Sequence, residues 1–113
     1  MEITQELSEK IQELQILERN LQSFSMEKQT LQVELNEIIN ATDELKKSGD
    51  EVYKMLGGLM IKANKESLSK ELNEKKKVFE LRVAAIEKQE KSTEDKTEKL
   101  RKDINDKITV KKQ

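Results

Sequence analysis

Residues Val52 to Ala63, reading VYKMLGGLMIKA, lie almost at the midpoint of a chain of 113 residues and constrain its fold more than any other stretch. Two short runs of apolar and β-tolerant residues flank Gly57-Gly58, and two such glycines supply the positive φ values that a two-residue hairpin turn requires. Leu56 and Leu59 then face each other across the turn. Alternation puts Val52, Lys54 and Leu56 on one face of the first strand and Tyr53 and Met55 on the other, so both faces carry apolar side chains. A lone two-stranded hairpin is marginal in water, and its unpaired edges invite other strands. The chain offers no third strand, so burial within an assembly is the expected solution. Val52, Tyr53, Met55, Leu56, Leu59, Met60 and Ile61 are the candidate oligomer interface, with Gly57 and Gly58 as the turn.

The remainder reads as helix. Over the first half, an alternation of three and four residues runs through Leu7, Lys10, Leu14, Leu17, Leu21, Phe24, Lys28, Leu31, Leu35, Ile38, Thr42 and Leu45. Nine of the twelve positions are apolar, where the overall composition would place about four. This is a heptad seam, and it requires a companion helix of similar length. No proline interrupts it. Lys46 and Lys47 suit the negative end of a helix and Gly49 suits its stop, giving a first helix over 4–47. A helix of that length spans roughly 65 Å. Ile3, Ile11, Ile16, Val33 and Ile39 lie off the seam and are expected to stay partly exposed.

Ser48-Gly49-Asp50-Glu51 supplies turn residues before a hairpin over 52–63. Asn64 is a suitable N-cap and Glu66 suits the positive end of the helix dipole, so a second helix is expected over 65–109. Its apolar stripe is Leu68, Leu72, Phe79, Ile86, Leu100, Ile104 and Ile108, with Thr93 as a gap. Folded back on the hairpin, the helices should pair antiparallel, with partners whose numbers sum to roughly 117. Residues Glu87 to Lys99 contain no strongly apolar side chain, which places the continuity of the coiled coil in question there and predicts easier opening. Ile3, Leu7, Ile11 and Leu14 from one terminus converge with Ile104, Ile108 and Val110 from the other. These seven form a sticky apolar tip, a candidate contact surface.

Composition sets the class. Charged residues make up 40% of the chain against 34% hydrophobic and 3% aromatic, too polar for an ordinary globular core. The 22 basic and 23 acidic residues nearly cancel, a balance that suits long solvent-washed helices and argues against a dedicated nucleic-acid binder. No apolar run approaches the roughly 20 residues of a membrane span, and the first residues lack a signal peptide's pattern. A single soluble, cytoplasmic domain over 1–113 is expected. Histidine and cysteine are absent, removing the commonest neutral-pH acid-base group, the thiol nucleophile and the usual transition-metal ligands. Neither GxGxxG nor GxxxxGK[ST] occurs. No catalysis and no cofactor are expected.

Helix, central hairpin and helix, with Asp50-Glu51-Val52-Tyr53-Lys54 before the turn and Leu59-Met60-Ile61-Lys62 after it, resembles the β-type subunit of the prefoldin family. Further matching stretches are Lys28-Gln29-Thr30-Leu31, Leu35-Asn36-Glu37, Leu68 through Leu72, Phe79-Glu80-Leu81-Arg82 and Ile86-Glu87-Lys88-Gln89-Glu90. The likeness covers residues 20 to 91, whereas the termini fit by heptad pattern and length. It implies a mainly α fold, an antiparallel coiled coil joined by one β-hairpin, with hairpins assembling into a β-barrel platform. It also implies a hexamer of two α-type and four β-type subunits. The function implied is an ATP-independent holdase that grips unfolded polypeptides at its coiled-coil tips and passes them to a group II chaperonin. The competing reading is a structural coiled-coil spacer in which the hairpin is only a bend.

Overall fold

The computed structural model describes residues 4–112, in the order α1 (Gln5–Lys47), β1 (Val52–Leu56), β2 (Leu59–Ala63) and α2 (Lys65–Lys112). Local signals set these limits. At the start of α1 the Thr4 hydroxyl accepts a hydrogen bond from the Leu7 amide at 3.2 Å, satisfying a donor that the first helical turn leaves free. The helix ends with Lys46 and Lys47 in its last turn, and both the amide and the hydroxyl of Ser48 donate to the Leu45 carbonyl. Asn64 caps α2 as its sequence position predicts, its side-chain oxygen accepting from the Ser67 amide at 3.1 Å. That helix continues to Lys112, past the expected limit at residue 109.

β1 and β2 form an antiparallel two-stranded sheet with the register Val52↔Ala63, Tyr53↔Lys62, Lys54↔Ile61, Met55↔Met60 and Leu56↔Leu59. Gly57 and Gly58 have φ of 54° and 83°, a conformation that side chains with a Cβ rarely adopt. Both positive angles mark the hairpin turn whose twist matches that of the flanking strands.

The chain divides into two compact units. In the hairpin unit, Gln29–Ala84, the buried side chains are Leu31, Leu35, Ile38, Leu45, Val52 and Val83. Leu31, Leu35, Ile38 and Leu45 are four of the five successive α1 seam positions from Leu31 to Leu45. Thr42 is the polar member, and its hydroxyl donates to the Ile38 carbonyl at 2.8 Å, so it brings no unsatisfied group inward. Each fully buried Leu or Ile contributes on the order of 1.5–3 kcal/mol. Lys54 in β1 pairs with Glu71 at 2.6 Å, and the Lys65 ammonium donates to the Ser48 carbonyl at 2.7 Å, tying the hairpin and its entry to the start of α2.

The terminal unit, Met1–Lys28 with Ala85–Gln113, buries Leu7, Ile86 and Ile104 and also Thr97. The Thr97 hydroxyl donates to the Thr93 carbonyl at 2.7 Å, so its burial leaves no polar atom unpartnered. Among the described residues four ion pairs cross between the two helix segments: Glu6–Lys107 at 2.6 Å, Lys10–Asp103, Glu18–Arg101 at 3.1 Å and Lys28–Glu90 at 2.8 Å. Their residue numbers add to 113, 113, 119 and 118, which makes the pairing antiparallel.

The polar stretch from Glu87 to Lys99 departs from the sequence reading. It stays helical without a break, and Glu90, Thr93 and Thr97 turn inward. The inward positions of α2 alternate four and three residues, through Leu72, Lys76, Phe79, Val83, Ile86, Glu90, Thr93, Thr97, Leu100 and Ile104. The heptad therefore continues through this stretch, with polar side chains that find partners instead of apolar ones that need burial.

Candidate functional site

The hairpin concentrates exposed apolar surface. Met55, Met60 and Leu59 are 70%, 69% and 68% exposed, and Leu56, Tyr53 and Ile61 are about half exposed. The register distributes them over both sides of the sheet. Leu56, Leu59 and Ile61 share one face with Lys54, while Tyr53, Met55 and Met60 share the other with Lys62. Six large apolar side chains on twelve residues, with both strand edges unpaired, form a surface suited to protein contact.

Val52 is the exception among the seven candidate interface residues. It is only 7% exposed, because the end of β1 nearest α1 packs into the core of the hairpin unit. Alternation assigns Val52 to a face but does not say which end of that face the helices cover. Beside Tyr53 an open groove of about 410 Å³ is lined by Ala41, Leu45, Val52, Leu68 and Leu72. It extends the apolar character of the hairpin onto the helices of the same unit.

The candidate tip residues are less accessible than the hairpin. Leu7 is 1% and Ile104 6% exposed, whereas Ile11, Leu14 and Ile108 are half-buried. Ile3 and the side chain of Val110 lie outside the described residues. Contact of a client with Leu7 or Ile104 therefore requires the paired helices to part locally. Charge closes this region. The hydrogen bond from Lys10 holds the Asp103 carboxyl below its ordinary range, and the same bond raises the Lys10 ammonium. Lys107, with a smaller contribution from Lys10, lowers the Glu6 carboxyl in the same way.

Two further ion pairs follow this logic. The bond from Lys54 lowers Glu71, and the bond to Glu90 raises Lys28. Lys10 and Lys28 are the two charged positions on the α1 seam, and each is matched by an acid on α2. Of the off-seam residues, Ile16 and Val33 are exposed, and Ile11 and Ile39 are half-buried. Met26 and Leu81 are also exposed, at 62% and 71%; neither belongs to an apolar stripe, and only burial in the fold distinguishes such residues from seam members. Among the described residues no group of three or more acids could hold a metal ion, and no helix is long and apolar enough to cross a membrane.

Comparison with known proteins gives one answer. The family model described as prefoldin subunit matches residues 8–110. Among curated proteins, the prefoldin subunit beta of Sulfurisphaera tokodaii is 35% identical over 106 residues, covering 92% of this chain and 85% of that protein. The prefoldin subunit beta of Sulfolobus acidocaldarius is 31% identical with the same coverage. The crystal structure of the prefoldin beta subunit from Thermococcus strain KS-1 superposes with a TM-score of 0.83 at 33% identity, covering 93% of this chain and 94% of that one.

Proposed function

Because this chain belongs to the prefoldin subunit family, whose role is that of a chaperone, we propose that it is the β-type subunit of an ATP-independent holdase. In this reading its hairpin joins those of an α-type partner and of further β-type copies in a hetero-hexameric, cytoplasmic particle. The particle holds unfolded polypeptides at its coiled-coil tips and hands them to a group II chaperonin. The observation that carries the reading is the hairpin itself. Six exposed apolar side chains occupy both faces of a sheet with two open edges, an arrangement that is costly in water and is relieved when strands and faces are covered by other subunits.

Client binding follows from the termini. Leu7, Ile11, Leu14, Ile104 and Ile108 form an apolar set closed by ion pairs, and several such ends on one particle would give a weakly held chain the benefit of avidity. Burial of Leu7 and Ile104 also suits the spacer reading, in which the ends simply stay paired. Two measurements separate the readings. Mass in solution, with and without an α-type partner, should show the hexamer only when the partner is present. Removing residues 1–12 and 104–113 should preserve the assembly and abolish suppression of client aggregation; full retained suppression removes the tips from the function. Met55→Asp with Ile61→Asp is the appropriate interface variant, since both residues are exposed, whereas Val52→Asp would test core packing.

A further inference from the structure

α1 and α2 differ in charge. α1 carries nine acidic against five basic residues, and α2 eleven acidic against fifteen basic. Within the terminal unit the basic excess of α2 is not spread evenly. Lys88, Lys91, Lys96, Lys99 and Lys102 are all exposed, and at 100° per residue they cluster on the side of the helix opposite Ile86, Thr97 and Ile104. The first four line one shallow open groove together with Ser92 and Asp95. From Lys88 to Lys102 the ridge runs about 21 Å.

These lysines stand apart from the structural charges. Lys10, Lys28, Arg101 and Lys107 make the ion pairs that join the helices, whereas among the described residues none of the five ridge lysines is in an ion pair. Asp95 is the single acid within the groove. A solvated helix usually intersperses its charges, so a groove with four lysines to one acid is a directional field.

The chemistry of the ridge narrows its partner. It has no aromatic side chain on which a base could stack, and the one arginine nearby, Arg101, is paired with Glu18. Exposed Glu87, Glu94 and Glu98 lie along one flank, where they would repel a continuous polyanion. A polypeptide does not meet that obstacle, because its acidic side chains can sit on the lysines and its basic ones on the flanking glutamates.

We propose that the ridge Lys88–Lys91–Lys96–Lys99–Lys102 is a steering and contact surface for acidic segments of unfolded polypeptides. The inference rests on the holdase reading and adds a client preference to it. Lysine is a point charge on a flexible stem, which suits partners whose acids are irregularly spaced. The effect is on encounter rather than on final grip.

The test uses the full chain in the assembly it forms, and a permanently unfolded polypeptide made in two versions, with its charged positions all glutamate or all lysine. Association is followed by stopped-flow fluorescence at low and high salt. Wild type should capture the glutamate version roughly tenfold faster at low salt, and the preference should fade at high salt. Combined Lys88→Glu, Lys91→Glu, Lys96→Glu and Lys99→Glu should reverse the preference, and the corresponding glutamine variant should remove it. If the glutamate variant loses helicity by circular dichroism, the glutamine variant carries the comparison. Capture of both versions at one rate, or a preference that survives the glutamine variant, overturns the ridge while leaving the holdase standing. Binding of duplex DNA that the glutamine variant abolishes, without preference between the polypeptides, also overturns it. If wild type captures neither version, the holdase reading itself fails.

Discussion

The two units of this chain use the same heptad rhythm and fill it differently. The hairpin unit buries six apolar side chains, and its cross-element ion pair is Lys54–Glu71. Among the described residues, the terminal unit buries three apolar side chains and a threonine, and four ion pairs join its helices. Burial of apolar area does not depend on side-chain charge, whereas exposed ion pairs are screened by salt and are lost when the carboxylates protonate in acid. One unit is held by packing, the other by packing and charge together. The proposed holdase, assembling at its hairpin and holding chains at its tips, gains from that division, since the first must persist and the second must yield.

The largest effect that would sharpen this contrast is in the hairpin unit. Ile38→Ala removes a seam side chain that is 8% exposed and should cost about 2–5 kcal/mol, read as a lowered midpoint in urea. Hydrogen exchange should report the loss within 29–84; an equal loss of protection in the terminal unit would mean that the two are one cooperative block.

Acid should act mainly on the terminal unit. Asp103 and Glu6 are held below their ordinary values by their lysine partners, so the stability they add is present above the unfolded-state values and is lost as pH falls through the lowered folded-state ones. Protection of 4–12 and 100–108 should therefore decline as pH drops below about 4, before that of 29–47. Glu71 is lowered as well, which predicts a smaller parallel change where the hairpin meets α2. Uniform decline along the chain would break the comparison.

The smallest effect is expected at Thr97. Its hydroxyl bonds only to the Thr93 carbonyl of its own helix, so Thr97→Val keeps the shape and removes a bond that the helix can forgo. Thermal stability should change by less than about 1 kcal/mol; a large loss would show that the hydroxyl itself specifies the pairing of the helices.

Much of this architecture is legible in the residues. Every member of the α1 seam from Leu7 to Leu45 is partly or wholly buried, and Asn64 and Gly57-Gly58 do locally what their chemistry dictates. The second helix was legible only in part. Its seven-residue series from Leu72 to Leu100 is one of two interleaved series, and the other holds Lys76, Val83, Glu90 and Thr97, of which only valine registers as apolar. Lys28 is a charged seam position and Glu90 looks like surface charge, and the two become a matched pair only when antiparallel pairing brings them together. For the hairpin, alternation gives the two faces, but the burial of Val52 depends on Leu45 and on the helices that flank it. Accessibility at the tips is the least legible property, because an apolar side chain at a helix end has the same identity whether the ends are closed or apart.

The tight turn at Gly57-Gly58 also bears on the order in which the chain finds its partners. Residues adjacent to it meet after closing a loop of two, Lys54 and Glu71 are 17 residues apart, Lys28 and Glu90 62, and Glu6 and Lys107 101. Loop-closure entropy rises with each step unless the preceding contacts have already shortened the effective loop. The least costly route to the folded chain therefore begins at the hairpin and zips outward, each pair reducing the search for the next. Expected kinetics are early protection at 52–63 and late protection at the termini, with unzipping in the reverse order, so the ends proposed to admit a client are also the last to close.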